Sequence, residues 1–256
     1  MTAVWPREQY VVGGGSARVV LIALASVRLP DPLPISRRRH GMPEDSEGAN
    51  AVALVVRERA VDPDAFVEHV IAPFGELIAT DLGEDIAARV ASSEHAYIIE
   101  CEVADPDDLG HLQAAWALAK CICEEGAQVV IDVYAARAHL AHDIATLDPA
   151  RAFDVMHEVT LFFDEQPDGT LAAWSLGLGK VGRADIVTLG VDPEAAPATA
   201  VMLRDVAALL AAGERVEPGD TIGVETGLRL QASRFDPAVA PGVAVEGDAL
   251  LLRVVA

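Results

Sequence analysis

Residues 174–186 hold the side chains whose types and spacing come nearest to a known chemical motif. Gly177, Gly179 and Gly182 match the pattern G-x-G-x-x-G, which in dinucleotide-binding proteins lets the backbone approach a pyrophosphate. That motif requires a helix directly after it, so that the helix N-terminus meets the phosphate. Here the residues that follow Arg183 continue as a strand pattern. We therefore expect a tight turn between two extended segments, with no dinucleotide and no other cofactor.

Two cations lie in the same turn, in a chain that has few of them. Glycine-rich backbone amides combined with positive side chains bind anions in other proteins. The candidate site for a phosphate or a carboxylate consists of Gly177, Gly179, Lys180, Gly182 and Arg183. The alternative is that both cations pair with carboxylates of the protein itself, such as Asp185, and the abundance of acidic residues favours this second interpretation.

Other patterns that carry chemistry are incomplete. His139, His142 and Asp143 have the spacing of neighbouring positions on a short helix, but a metal site needs further ligands, so we predict no metal. Ser175 lacks the first glycine of a G-x-S-x-G nucleophile elbow. Glu100 and Glu102 share one face of a predicted strand and would form an acid/base couple if buried. The sequence leaves it open whether the protein is an enzyme.

The charge balance argues against two classes of partner. The chain of 256 residues has 19 Lys and Arg against 40 Asp and Glu, a formal charge of −21. Such a surface repels phosphate, so we expect neither nucleic-acid nor membrane binding. The only dense basic run is residues 37–40, which lies among prolines and reads as a solvated loop. Three cysteines give no disulfide framework and favour a reducing, cytoplasmic location.

The apolar pattern predicts an α+β fold. No apolar run is long enough to span a bilayer, and the short run at residues 19–25 reads better as a buried strand than as a signal peptide. Predicted strands are 19–27, 51–57, 95–101, 129–134, 155–163, 171–176, 186–191, 221–231 and 250–254. The first predicted helix has Asp62 as N-cap, Pro63 in its first turn, an apolar stripe over residues 66–78 and a kink or break at Pro73. The other predicted helices are one opened by Asp105 as N-cap and closed at Gly126, a short one at 135–145, and 198–212.

This order of elements indicates a mixed, largely antiparallel sheet with amphipathic helices packed on it, arranged as one sheet or as two α+β halves. We divide the chain into residues 1–50, an N-terminal strand with a Pro-rich loop; residues 51–150, one α+β half; and residues 151–256, a second α+β half. The connection at residues 29–50 is long enough to be functional or disordered.

The second half resembles a bacterial domain family of unknown function. The resemblance rests on the segment W-S-L-G-L-G-K-V-G-R-A-D-I at residues 174–186, a helix after it, and E-P-G-D-T-I-G at residues 217–223. It departs from the family pattern at Ser175 and Val181. The resemblance implies a cytoplasmic bacterial protein and brings no catalytic residues with it.

Two functional hypotheses follow from these observations. The first is a non-catalytic interaction or accessory protein that binds another protein through the Pro-rich loop or a sheet edge. The second is an enzyme or an anion-binding protein whose site lies at residues 177–183. A pocket in which Lys180 and Arg183 converge would favour the second.

Overall fold

The chain forms two compact units in the computed structural model, which describes residues 3–44, 46–224, 227–245 and 247–255. The first unit comprises residues 3–5, 18–103 and 108–153 of the described chain. The second comprises residues 6–17, 104–107 and 154–255. Both the N-terminal segment and a four-residue piece from the middle of the chain thus belong to the C-terminal unit.

The first unit is built on a five-stranded sheet. Its strands are β1 (Ser16–Ala25), β2 (Ala53–Glu58), β3 (His95–Ala104), β4 (Val129–Asp132) and β5 (Arg137–Leu140), in the order β2-β3-β1-β4-β5. Its helices are α1 (Arg37–His40), α2 (Glu47–Asn50), α3 (Pro63–Phe66), α4 (Gly75–Leu82), α5 (Glu84–Val90), α6 (Gly110–Glu124) and α7 (Ala141–Ala145). A π-helical turn (Val67–Ile71) and a 3₁₀ turn (Ala72–Phe74) link α3 to α4.

One core cluster of the first unit lies between this sheet and the helices from α3 to α5. Alternate residues of β1, such as Ile22 and Leu24, point to one face of the sheet and pack there against Phe66, Val70 and Ile78. Period-two alternation on the strand thus meets the apolar stripe that the sequence predicts for residues 66–78. The break predicted at Pro73 is confirmed, since proline lies in the 3₁₀ turn that separates the two α-helices.

The second unit carries a six-stranded sheet in the order β6-β7-β8-β11-β10-β9. Its strands are β6 (Thr160–Glu165), β7 (Leu171–Leu176), β8 (Asp185–Val191), β9 (Thr221–Gly223), β10 (Arg229–Arg234) and β11 (Ala249–Val255). Its α-helices are α8 (Val155–Glu158) and α9 (Ala196–Ala211). Neighbouring strands run antiparallel except β8 and β11, which are parallel.

The predicted α+β class is confirmed, because both sheets are mostly antiparallel and carry separate helices. Helix α9 also forms as predicted, with Met202, Leu203, Val206 and Leu210 buried, and it contacts β7 and β8. Gly213, just past the end of α9, has φ +113°, a backbone conformation that glycine adopts without strain. Within the described residues, no helix is long and apolar enough to cross a membrane.

Asp105 is not the N-cap of the long helix, contrary to the sequence prediction. Helix α6 begins at Gly110, with Leu109 at the cap position and no side-chain cap bond. Asp105 instead adopts a left-handed backbone with φ +36°. Its carboxylate accepts hydrogen bonds from other segments of the second unit. Because these bonds hold the carboxylate in place, it does not cap the helix as the local pattern predicts.

Three further element predictions are wrong in part. Residues 135–145 do not form one helix, because Arg137–Leu140 pairs with β4 as strand β5 before the short α7. The first four residues of the predicted strand 155–163 form the helical turn α8. The predicted strand 221–231 is two strands, β9 and β10, that pair with each other.

The basic run Arg37–His40 is a helical turn and not a loop. Arg37 and Arg38 are exposed, as a solvated segment requires, but His40 is buried. Glu124 of α6 binds this turn through one oxygen, Oε2, which lies 2.5 Å from Arg39 Nη2 and 3.3 Å from His40 Nε2. The Pro-rich connection is therefore partly anchored to α6.

Asp62 caps the helical run that starts at Pro63, as the sequence predicts. Its Oδ1 accepts a hydrogen bond from the Ala65 amide at 3.1 Å. We expect Asp62→Ala to lower the free energy of unfolding by about 1 kcal/mol, because a first-turn amide loses its acceptor. Urea unfolding measures the change. Asp64→Ala, in the same turn but outside the cap, is the control, and an equal loss in both variants would contradict the capping role.

Candidate functional site

The glycine turn (residues 177–183) connects β7 to β8 by a single 3₁₀ turn, Leu178–Val181. The chain then resumes as a strand at Asp185. The prediction of a turn between two extended segments is confirmed. The helix N-terminus that a dinucleotide motif requires is replaced here by strand β8.

Two of the three glycines in this turn are required by close backbone contacts. Gly177 has φ +121°, and a Cβ there would lie 2.3 Å from the carbonyl oxygen of Glu158. Gly182 has φ +67°, and its Cβ would lie 2.5 Å from the carbonyl oxygen of Gly15. Gly179 has neither constraint among the described residues. Protein backbone thus occupies the space that these glycines leave open.

Lys180 forms a buried ion pair with Glu158. The ammonium Nζ lies 2.9 Å from Glu158 Oε2, and the two side chains are 0% and 1% exposed. His157 Nδ1 lies 3.3 Å from the other carboxylate oxygen. Burial alone raises the pKa of the Glu158 carboxyl, but Lys180 and His157 outweigh it and hold that pKa well below its usual range. The charge of Lys180 is therefore directed into the protein.

Arg183 uses all five of its N–H groups inside the second unit. Nε donates to Glu214 O at 2.9 Å, and Nη1 donates to Asp105 Oδ1 and to Gly182 O. Nη2 donates to Gly213 O at 2.7 Å and to Val11 O at 3.2 Å. A guanidinium has five donors, so a ligand would have to displace one of these acceptors.

Asp105 receives the matching hydrogen bonds from the N-terminal segment. Its Oδ2 accepts from the Gly13 amide at 2.6 Å and from the Tyr10 hydroxyl at 3.0 Å. Burial raises the pKa of this carboxyl, but these bonds, the Gly14 amide and Arg183 lower it by more, so the net pKa lies below its usual value. The left-handed backbone of Asp105 places the carboxylate among all of these donors.

Arg7 closes the same network at the end of α9. Its guanidinium donates to the carbonyls of Leu210 and Ala211, at the C-terminus of the helix, and to Pro106 O at 2.8 Å. Burial, together with the charge of Arg183, lowers the pKa of Arg7 to about 10. A cation at this position complements the negative end of the helix dipole.

A cavity of about 200 Å³ adjoins this network. Among the residues that line it are Gly13, Gly14, Gly182, Arg183 and Arg215. Arg215 is paired with Glu217, and the amides of Gly13 and Gly15 already donate to Asp105 and to Gly182 O. Lys180 does not line this cavity. The two cations of the candidate anion site therefore serve two separate internal networks.

Asp185, which the sequence suggests as an internal partner for the cations, accepts hydrogen bonds from two neighbouring groups, one of them in the turn. Its Oδ1 accepts from the Ser175 hydroxyl at 2.7 Å and from the Leu178 amide at 3.2 Å. Internal pairing of the two cations is observed, with Glu158 as a partner of Lys180 and Asp105 as a partner of Arg183. Sequence spacing could not identify either one, because Glu158 lies 22 positions from Lys180 and Asp105 lies 78 positions from Arg183.

The histidines considered as metal ligands lie in different elements. His139 lies in β5 and His142 in α7, so they do not share a helix. The described residues contain no group of three or more potential metal ligands. Cys121 and Cys123 are buried, and burial raises the pKa of these thiols to about 11 and about 12. These values disfavour the reactive thiolate form.

Glu100 and Glu102 lie on the exposed part of one sheet face. Together with Arg18, Ala53 and Tyr134 they line a concave surface, which encloses an open pocket with a volume of about 510 Å³. Arg18 Nη2 lies 3.0 Å from Glu102 Oε1, and both side chains are more than half exposed. The two carboxylates share a face, as their spacing indicates, but they are not buried.

The outer edge of β2 is a candidate binding surface that no sequence motif marks. Strand β2 ends the sheet order and pairs on its inner side with β3. Leu54 and Val56 are 36% and 43% exposed on the face that also carries Tyr97 and Ile99. The run A-L-V-V-R-E predicts a strand, but whether that strand lies at an edge depends on pairings that a single sequence does not reveal.

Backbone bonds determine which groups of β2 face outward. Arg59 N donates to Glu94 O at 2.9 Å, and in an antiparallel ladder alternate residues face the partner strand. Ala53, Val55 and Arg57 therefore bond to β3. The amides and carbonyls of Leu54 and Val56 point to the open side, where no strand of the described chain pairs with them.

The opposite edge of the same sheet is covered. Helix α4 contacts β5, and Asp81 Oδ2 accepts from the Ala138 amide at 2.7 Å. A carboxylate thus satisfies a β5 amide. The protein protects one edge in a way that edge strands commonly require, whereas the outer side of β2 is exposed.

Comparisons with known protein families, with characterised proteins and with solved structures gave no match to this chain.

Breaking the Lys180–Glu158 pair should be strongly destabilising. Lys180→Met leaves a buried carboxylate without its cation, so we expect the free energy of unfolding to fall by about 3–5 kcal/mol. The double variant Lys180→Met/Glu158→Leu should lose less, because no charge stays buried. Urea unfolding of Lys180→Met, Glu158→Leu and the double variant gives the coupling free energy between the two side chains. Losses that simply add would contradict the pairing.

Arg183→Lys tests whether this cation has a structural role. Lysine has three donors on a flexible stem, so at least two acceptors lose a partner, and stability should fall by about 2–4 kcal/mol. Arg215→Lys, at a more exposed side chain, should change stability by less than about 0.5 kcal/mol. Thermal unfolding measures both. If Arg183→Lys keeps its stability but loses calorimetric binding of inorganic phosphate, the anion site is correct instead.

Proposed function

We propose that this chain is a non-catalytic interaction protein that receives an extended segment of a partner protein along the outer edge of β2. The observation that carries the proposal is the open backbone of Leu54 and Val56 beside their exposed apolar side chains. Addition of a strand to such an edge is a recurrent mode of peptide recognition, in which main-chain hydrogen bonds supply affinity and alternate side chains supply specificity.

The contrast between the two edges of the first sheet supports this choice of surface. Exposed edges with apolar side chains promote aggregation, and natural proteins usually cover or charge them. The β5 edge is covered by α4 and Asp81. A partner strand on β2 would give the other edge the same protection.

The networks around the glycine turn support a non-catalytic role. Lys180 and Arg183, the cations that first indicated a ligand site, are buried and paired with Glu158 and Asp105. Both pairs connect distant parts of the second unit. The two ion pairs give the residues of the G-x-G-x-x-G pattern a structural role in the second unit.

We place the protein in the bacterial cytoplasm. Support comes from the resemblance of residues 174–186 and 217–223 to a bacterial family, and from three free cysteines. Thiols without disulfide partners suit a reducing compartment.

Val56→Pro provides the test of the β2 edge. Proline removes the outward amide of residue 56 and leaves the bonds from β2 to β3 in place, and edge strands accept proline where the N–H faces solvent. Peptides selected from a random display library on the wild-type protein should lose at least tenfold in affinity for this variant in calorimetry. Val56→Thr keeps the amide and the β-branched shape, and it should retain most of the binding.

Amide hydrogen exchange gives an independent measurement if Val56→Pro does not fold. In the free wild-type protein the amides of Leu54 and Val56 should exchange much faster than that of Val55, and a bound peptide should slow them. Equal protection of all three amides in the free protein would show that the edge is covered. Peptides that bind folded Val56→Pro as tightly as wild type would overturn the proposal.

A further inference from the structure

The concave surface beside β2 carries an acidic group with no partner of its own. Glu100 is exposed, and the described chain offers its carboxylate no hydrogen bond and no ion pair. Glu102, two residues further along β3, is paired with Arg18. Glu100 is therefore the carboxylate in this surface that is free to accept a cation.

Glu100 also lies in register with the open edge. It is directly opposite Ala53 of β2, and the two side chains share one face of the sheet. Ala51 and Ala53 line the same concave surface. Because both are alanines, little side-chain bulk separates the Glu100 carboxylate from a strand added outside β2.

From this register we infer the chemistry of the partner segment: it alternates Lys or Arg with β-branched apolar residues. This inference rests on the proposed function. Neighbouring strands lie about 4.8 Å apart, so an added strand would lie about 10 Å from β3. The flexible stem of lysine or the longer arginine side chain crosses one alanine position to reach a carboxylate at that range.

The residues on the other face of β2 determine which residues alternate with the basic ones in the partner segment. Leu54 and Val56 project from that face, next to Tyr97 and Ile99. Successive side chains of a strand point to opposite faces. A segment whose basic residues face Glu100 therefore presents its intervening residues to Leu54 and Val56, where apolar β-branched side chains pack best.

The charge of the whole chain favours the same partner. A net charge of −21 attracts cationic segments over long distances and speeds their association at low ionic strength. An acidic extended segment would meet repulsion both from this field and from Glu100. Arg57 of β2 is exposed on the same face as Ala53 and Glu100, so charge complementarity selects segments that place a cation opposite Ala53 and not opposite Arg57.

Synthetic peptides of known sequence test the inference. The probe is an acetylated, amidated peptide that alternates valine and lysine over seven residues. One control replaces each lysine with glutamine, and a second keeps the composition but places the lysines together. We expect the alternating lysine probe to bind most tightly to the full chain in calorimetry, with an affinity that falls as salt is raised.

Glu100→Gln identifies the carboxylate responsible. It should weaken the lysine probe by about two- to fivefold, the range for a solvent-accessible ion pair, and leave the glutamine peptide unchanged. Glu76→Gln, at an exposed residue of α4, removes the same charge elsewhere in the first unit and is the matched control. Val56→Pro should abolish binding of both peptides.

The outcomes separate the two proposals. In one outcome Val56→Pro abolishes peptide binding, the lysine and glutamine peptides bind wild type with equal affinity, and Glu100→Gln changes neither affinity. Strand addition is then correct and the inference about charge is wrong. If library-selected peptides require the Val56 amide but the lysine probe does not bind, the same conclusion holds. If the lysine probe binds Val56→Pro and wild type equally, its site is not the β2 edge and both proposals fail.

Discussion

The Arg183 guanidinium is the interaction on which the second unit depends. Its five donors are divided among an N-terminal carbonyl, the Asp105 carboxylate, the glycine turn and the segment after α9. These acceptors are far apart in sequence, so one side chain fixes four pieces of chain relative to one another. Arginine suits the task because its donors form a rigid planar fork that stays charged when buried.

The fold class was predictable because it follows from local patterns that tertiary packing reinforces. Residues 171–176 form a strand that is buried on both faces, and the apolar stripe in residues 198–212 forms the buried face of α9. Predictions failed where a residue had a distant partner. Asp105 has every local property of an N-cap, yet donors at Tyr10, Gly13 and Arg183 hold it in a different conformation.

The same reason limits what sequence could say about function. The glycine turn matches a motif because its residues are close together in the chain, and a sequence motif is defined by such local spacing. The β2 edge has no motif, since its character comes from where β2 lies in the sheet and from which side β3 leaves open. Glu100 was visible as half of a carboxylate pair, but its position opposite Ala53 required the strand register.

The discontinuous make-up of the second unit bears on how the chain is made. Residues 6–17 are synthesised well before the turn and helix that they bind, which are Leu178–Val181 and Ala196–Ala211. A fragment that starts near residue 154 would lack Arg7, Tyr10 and Asp105, and Arg183 would have two acceptors fewer. The second unit can therefore close only after Gly213 and Glu214 have been synthesised, and until then residues 6–17 lack these binding partners.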